Sequence, residues 1–455
     1  MHPKVKVINI PYHLILLLLL GAACPAQSVK LEYLPKNADS LKAFLVSATS
    51  RKAKEFGPKY QKEIKNELEE RKEHFVKTIL DSSYIYNSSL NRYLKTVLTK
   101  IYEGNPDLPQ KDFYFLIDRS PIPNAGCYGN GLFSVNLGLF SLLDSEGQLA
   151  SVLCHEIAHY QLKHNDKSLI RHVETMNAKE TKSKISKIKS KRYGRRQALD
   201  ELQKELAYNF MKRSRSAEMQ ADSLGLALLK NAGFDAPSVV SVLKKLKDSD
   251  SLLFSANTNI RSRLNFEGYP FREGWLEPET RLFDTDEMVD DRSFNKDSLK
   301  SHPDIDKRLG EMLKFTSGSE PWASANPYLE IKKAAGFYMI QSAMDARRLD
   351  IALYQALTMA EDGSLDEKSY ALIVAGLLKK TYELKQNHTF GKYVGPVSPF
   401  SEEVYLNEVR LFLNRLEIKN IRRIGHFFCE KYRDQMNDIP EFEQITAFFQ
   451  ALNPN

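Results

Sequence analysis

From Ser40 to Glu103 apolar residues recur three and four apart, with Phe75, Ile79, Leu90 and Leu94 on one side and the charge run Lys62 to Glu73 on the other. That period predicts amphipathic helices with a solvated charged face. Asn105, Pro106 and Pro109 end the pattern, and Phe113-Tyr114-Phe115-Leu116-Ile117 predicts a strand. A turn-rich approach, Pro121-Ile122-Pro123-Asn124-Ala125-Gly126, leads to a second predicted strand over 131–137. Ser145 and Glu146 then open a helix whose buried side is marked by Leu149, Val152, Leu153, Ile157 and Leu162. A later helix passes Leu224, Leu226, Leu228 and Leu229 to a stop at Asn231-Ala232-Gly233, and Pro237 starts the next. The polar, aromatic-studded stretch from Leu252 to Leu299 predicts loop and short turns at the rim of the site. Another helix opens at Ser301 to Leu309, and Pro327 to Leu452 is helical throughout, broken near Gly391, Gly395, Pro396 and Pro399. The pattern predicts an α+β, mostly helical fold with a small sheet, followed by an all-α C-terminal region. Helix pairs at 343–360 and 366–384 give that region a repeat-like look, but no fixed period supports an array.

Composition changes this picture little: 42% hydrophobic and 27% charged residues over 455 positions exclude a disordered or multi-span chain. The beginning changes it more. Lys4 and Lys6 precede the run Leu14 to Leu20 and the small residues Gly21, Ala22 and Ala23, the order of a secretory signal peptide. Cleavage after Ala26 fits the small-residue rule, and lipidation of Cys24 is the alternative, so the mature chain is expected in the periplasm or cell envelope. Residues 1–26 would then be signal and 27–84 an N-terminal helical segment. The four cysteines, at 24, 127, 154 and 429, are too scattered for a disulfide framework, and Cys154 reads as a small core residue. Loss of Lys4 and Lys6 takes two from the net charge of +7, leaving it mild. The acid-free stretch Thr181 to Leu199, with Lys182, Lys184, Lys187, Lys189, Lys191, Arg192, Arg195 and Arg196, reads as a mobile, solvated insertion. Its alternative is peripheral contact with an anionic membrane, whereas nucleic acid is excluded for an exported chain.

The chemistry lies in His155-Glu156-Ile157-Ala158-His159 and, about sixty residues on, Glu218-Met219-Gln220-Ala221-Asp222. Residues four apart share a helix face, so His155 and His159 can present imidazoles to one ion while Glu156 projects beside them. A catalytic zinc takes three protein ligands and keeps a fourth position open, which makes Glu218 the candidate third ligand. Asp222, one turn on, can accept the remaining N–H of a liganding histidine. His164 reads as a decoy. A metzincin third ligand would fall at Asn165, and position 162 is leucine rather than glycine, so that class is excluded.

These two motifs, followed by Ser301-His302-Pro303 with Arg308, resemble the zinc endopeptidases related to HtpX and the CAAX-prenyl proteases; Pro123-Asn124-Ala125 and Ala232-Gly233-Phe234-Asp235 are similar to that family too. The resemblance implies a gluzincin-like metallopeptidase domain over 85–317, followed by a helical domain over 327–455 as in the soluble, periplasmic BepA-like branch. It implies one zinc ion per chain on His155, His159 and Glu218, with Glu156 as general base and His302 stabilising the oxyanion. Arg308 would support that site, and Asn124 and Ala125 would bind substrate. The expected partners are unfolded or misassembled envelope proteins. The alternative function is an envelope chaperone that uses the helical tail, with latent or residual proteolysis.

Overall fold

A computed structural model describes residues 31–191, 193–252, 254–277, 305–316, 328–397 and 403–452. The predicted signal peptide, with Cys24 and Ala26, lies outside them, as does His302. Helices α1 (Ala38–Glu55) and α2 (Gln61–Leu80) come first, followed by the short strand β1 (Tyr84–Ile85) and α3 (Ser89–Gly104). Strands β2 (Tyr114–Asp118), β3 (Ala125–Cys127) and β4 (Leu132–Asn136) complete a four-stranded sheet in the order β1-β2-β4-β3. β2 and β4 run parallel, with Phe115 opposite Phe133 and Ile117 opposite Val135, while β1 and β3 are antiparallel edges. β4 is buried along Leu132–Val135 because both faces of the sheet are covered. Phe133 and Val135 face the main core, whereas Leu116 and Leu132 pack with Leu41, Leu45, Phe75 and Ile79 of α1 and α2. The N-terminal helices are thus the lid of the sheet's second side.

After the short α4 (Leu137–Leu142) comes α5 (Glu146–Gln161), which carries the histidines. Ser145 caps it by accepting from the Gln148 N–H, as its sequence position led one to expect. α6 (His164–Asn177) and α7 (Lys179–Ser190) lead to α8 (Arg195–Asn231), and α9 (Pro237–Leu252) returns to pack on α5. Of the basic stretch predicted to be a mobile insertion, residues 181–190 are helical, with Lys182, Lys187 and Lys189 exposed on α7, and residues 195–199 open α8. α10 (Ile305–Thr316) brings Arg308 back to the centre. Among the described residues no helix is long and apolar enough to cross a membrane.

The rest is helical: α11 (Tyr328–Asp345), α12 (Leu349–Glu361), α13 (Glu367–Gln386), α14 (Val404–Arg415), α15 (Ile418–Tyr432) and α16 (Pro440–Ala451). Two features depart from the sequence reading. Residues 254–277 do not rim the site: Phe254, Ile260, Leu264, Phe266, Tyr269 and Trp275 are buried in the core of the C-terminal helices, beside Phe412 and Phe428. Their spacing has no helical period, but six large apolar side chains in a short stretch have more to gain from burial than from water. The second departure is α11, whose Tyr328, Ile331, Ala335, Tyr338 and Met339 belong to the peptidase-side core, although the helix lies beyond residue 327.

Candidate metal centre

α5 and α8 cross in near backbone contact. A Cβ added to Gly225 would lie 3.1 Å from the His155 Cα, so glycine there lets the two helices approach closely enough for short carboxylate side chains to reach across. Glu218 and Asp222, one turn apart on α8, both point at the histidines. His155 Nε2 lies 3.5 Å from Glu218 Oε2, His159 Nε2 lies 3.5 Å from Glu218 Oε1, and the two Nε2 atoms are 3.0 Å apart. Zinc bonds of about 2.0–2.1 Å in a tetrahedron place neighbouring ligand atoms roughly 3.3–3.4 Å apart, so this triangle has the size of one tetrahedral face. Each imidazole carries only 12% of its side-chain surface exposed, and Glu218 only 4%.

What lies behind the triangle fixes the tautomers. His155 Nδ1 donates to Asp222 Oδ1 at 2.9 Å. His159 Nδ1 meets His164 Nδ1 at 3.1 Å, and His164 Nε2 meets Gln220 Oε1 at 3.3 Å. Burial lowers the pKa of His164, which favours the neutral ring able to accept from His159 and donate to Gln220. With both Nδ1 positions committed as donors, the Nε2 lone pairs of His155 and His159 face each other and a carboxylate. A proton on one ring answers one of these contacts; a divalent cation answers all three. His164 thus stands outside the ligand triangle and backs His159 instead. The signal missed in the sequence is the reversal after α5: Lys163 sits in the left-handed region, at φ 55°, and turns His164 back under His159.

Arg308 holds the carboxylates from the other side. Its Nε and Nη2 donate to Asp222 at 2.7 Å each, in a bidentate fork, and Nη1 lies 3.1 Å from Glu218 Oε2. Burial pushes the Asp222 carboxyl up, but Arg308 and His155 outweigh it and hold its pKa at about 2. Burial likewise disfavours the His155 imidazolium, and Asp222 with Glu218 more than compensates, raising its pKa to about 9. The structure therefore brings together His155, His159, Glu218, Asp222 and Arg308.

Glu156, 3% exposed, borders a cleft of about 700 Å³, counting its open mouth. Asn124 and Ala125 line the same cleft, with Leu139, Val152, Leu226 and Leu243 as an apolar wall. Ala125 begins β3, the sheet's open edge. The strand predicted over 131–137 is interior to the sheet; the edge is the segment that read as a turn. Burial, reinforced by the charge of Glu156, pushes the thiol of Cys127, at the end of β3, up to about 12, which disfavours its thiolate.

Residues 88–316, half of the chain, match Peptidase family M48. The chain is 25% identical over 183 residues to the beta-barrel assembly-enhancing protease of Escherichia coli, a match covering 39% of this chain and 37% of that protein. It is 26% identical over 170 residues to the protein of that name from Yersinia pestis, covering 36% and 34% of the two chains. Mitochondrial metalloendopeptidase OMA1 of Arabidopsis thaliana is 30% identical over 153 residues, 32% of this chain and 29% of that one. The match thus spans about a third of each of these curated relatives.

Proposed function

The chain belongs to peptidase family M48, and on that premise we propose that it is an exported zinc-dependent endopeptidase that hydrolyses peptide bonds of unfolded or misassembled envelope proteins. The observation that carries this reading is the triangle of His155, His159 and Glu218 donor atoms, sized for zinc, with Glu156 on the same helix beside an open cleft. Zinc bound there would act as a Lewis acid toward a peptide carbonyl and lower the pKa of a water toward neutrality. The chain's own residues do the rest. Asp222 and His164 fix the two imidazoles so that Nε2 of each faces the ion. Arg308 neutralises the buried charge of Asp222 and Glu218 and keeps both in place. The edge of β3 at Ala125 takes the substrate backbone by strand addition, and the apolar wall takes a side chain. Glu156 removes a proton from the attacking water and delivers it to the leaving amine, while His302 stabilises the oxyanion. The assembly-directed names of the bacterial relatives support the substrate class, an envelope protein that has failed to assemble.

Purified protein is expected to hold one zinc and to degrade an unstructured protein such as casein, with activity lost to a chelator and restored by zinc. Glu156→Gln should retain the metal and lose turnover by at least about 10²-fold. Equal turnover in the variant, or full activity in metal-free protein, would refute the reading.

A further inference from the structure

The register of β3 decides which of its backbone groups an added strand can reach. Asn124 accepts from the Asn136 N–H at 2.9 Å, Tyr128 donates to the Leu132 carbonyl at 3.0 Å, and Gly126 stands opposite Ser134. In an antiparallel ladder, residues alternate between bonding the partner strand and facing away from it. Asn124, Gly126 and Tyr128 therefore commit their main chain to β4, and Ala125 and Cys127 turn theirs toward the open edge. These two positions differ. Ala125 lines the cleft beside His155 and Glu156, whereas the Cys127 carbonyl already accepts from Asn165 Nδ2 at 2.8 Å.

Asn165 is firmly held in this position. It is the second residue of α6, directly after the Lys163 reversal, and its amide also lies 3.4 Å from Cys127 Sγ. Gly129, at φ 82°, closes over it so tightly that a Cβ there would sit 2.7 Å from the Asn165 Cβ.

We infer that Asn165 terminates the peptide-binding edge: its amide occupies the place of a substrate N–H at Cys127 and restricts main-chain pairing with substrate to Ala125. A peptide added antiparallel to β3 runs its amino-terminal part toward Cys127 and its carboxyl-terminal part toward Asn124. The restriction falls on the amino-terminal side. The recognised substrate is thus a chain extended over only a short stretch there, a loop or a frayed end, rather than a long preformed strand. This inference rests on the peptidase reading of the cleft.

The test measures affinity rather than turnover. Zinc-loaded full-length protein carrying Glu156→Gln is titrated with fluorescent peptides lengthened at the amino end by two and then four residues, and compared with the same protein also carrying Asn165→Ala. Alanine keeps the Cβ that packs under Gly129 and removes only the amide; Asn165→Asp, which keeps the size and loses the donor, serves as the second variant. With Asn165 in place, lengthening past the residue that faces Ala125 should change affinity less than twofold. In both variants two added residues should tighten binding about five- to tenfold, the change expected of one or two neutral hydrogen bonds. Identical length profiles with and without the Asn165 amide would overturn the role of Asn165 alone. Failure of every peptide to bind any form would overturn the peptidase reading and this inference with it.

Discussion

Replacing Arg308 by methionine tests the electrostatic logic of the metal centre most directly. Methionine keeps an unbranched apolar stem of nearly the same course and removes the guanidinium with its charge. The arginine is 3% exposed and supplies two hydrogen bonds of 2.7 Å to Asp222 and an ion pair of 3.1 Å to Glu218, both carboxylates being buried as well. Removing one partner of a buried ion cluster leaves uncompensated charge and costs about 3–5 kcal/mol. For a peptidase unit of this size, at roughly 2–4 °C per kcal/mol, melting should fall by about 6–20 °C. The pH dependence gives a second, independent sign. In the native chain the Asp222 pKa is held at about 2, below an unfolded value near 3.9. Its ionised form therefore contributes about 2–3 kcal/mol that is fully present above about pH 5 and lost as the pH falls through the unfolded and then the folded value. Without Arg308 the burial of Asp222 is opposed mainly by His155, so its folded pKa should rise above the unfolded one. The folded variant then binds more protons than the unfolded chain, and acidification stabilises it relative to the native protein. Thermal melts followed by circular dichroism, in chelator so that metal binding does not intrude, should show the gap narrowing from pH 7.5 to pH 4.5. A variant that melts within about 2 °C of the native protein, or a gap that stays constant with pH, would refute the assignment of Arg308 as the counter-charge.

His164→Leu should weaken zinc binding about 10–100-fold in competition with a fluorescent chelator, and His164→Asn, whose carbonyl can accept the same His159 N–H, should recover part of the loss; equal affinities in all three proteins would show that His164 does not orient the ligand. Trp275→Ala, which empties a site packed against Tyr269, Phe271 and Phe412, should destabilise the C-terminal helices by about 3–5 kcal/mol while leaving zinc stoichiometry unchanged. Loss of zinc in that variant, measured by elemental analysis, would contradict the placement of residues 254–277 in the tail core.

The helices of the centre could be read from the sequence because their information is local. The four-residue spacing of His155 and His159, that of Glu218 and Asp222, the Ser145 cap and the stop before Gly233 each operate within one or two turns of chain. β3 could not be read that way. Its residues follow two prolines and carry a glycine, and they become a strand only because the loop to Gly131, with Gly129 and Gly131 at positive φ, folds them back onto β4. The role of His164 was hidden for a related reason, since its position past the end of α5 matters only once Lys163 has reversed the chain. Residues 254–277 misled through composition: polar neighbours masked aromatic side chains whose partners lie more than a hundred residues away, as Phe266 and Phe428 do.

Helix α11 stands as a party wall between two tenants. One side closes the core against Tyr93 and the Phe140 carbonyl through Tyr328, while Ile340 and Ala343 furnish the neighbouring core of the tail. An excision ahead of Tyr328 would strip the catalytic half of part of its own interior, so inactivity of such a fragment would say nothing about client recognition. The informative cut falls behind Asp345, where the wall is left standing and only the far rooms are demolished.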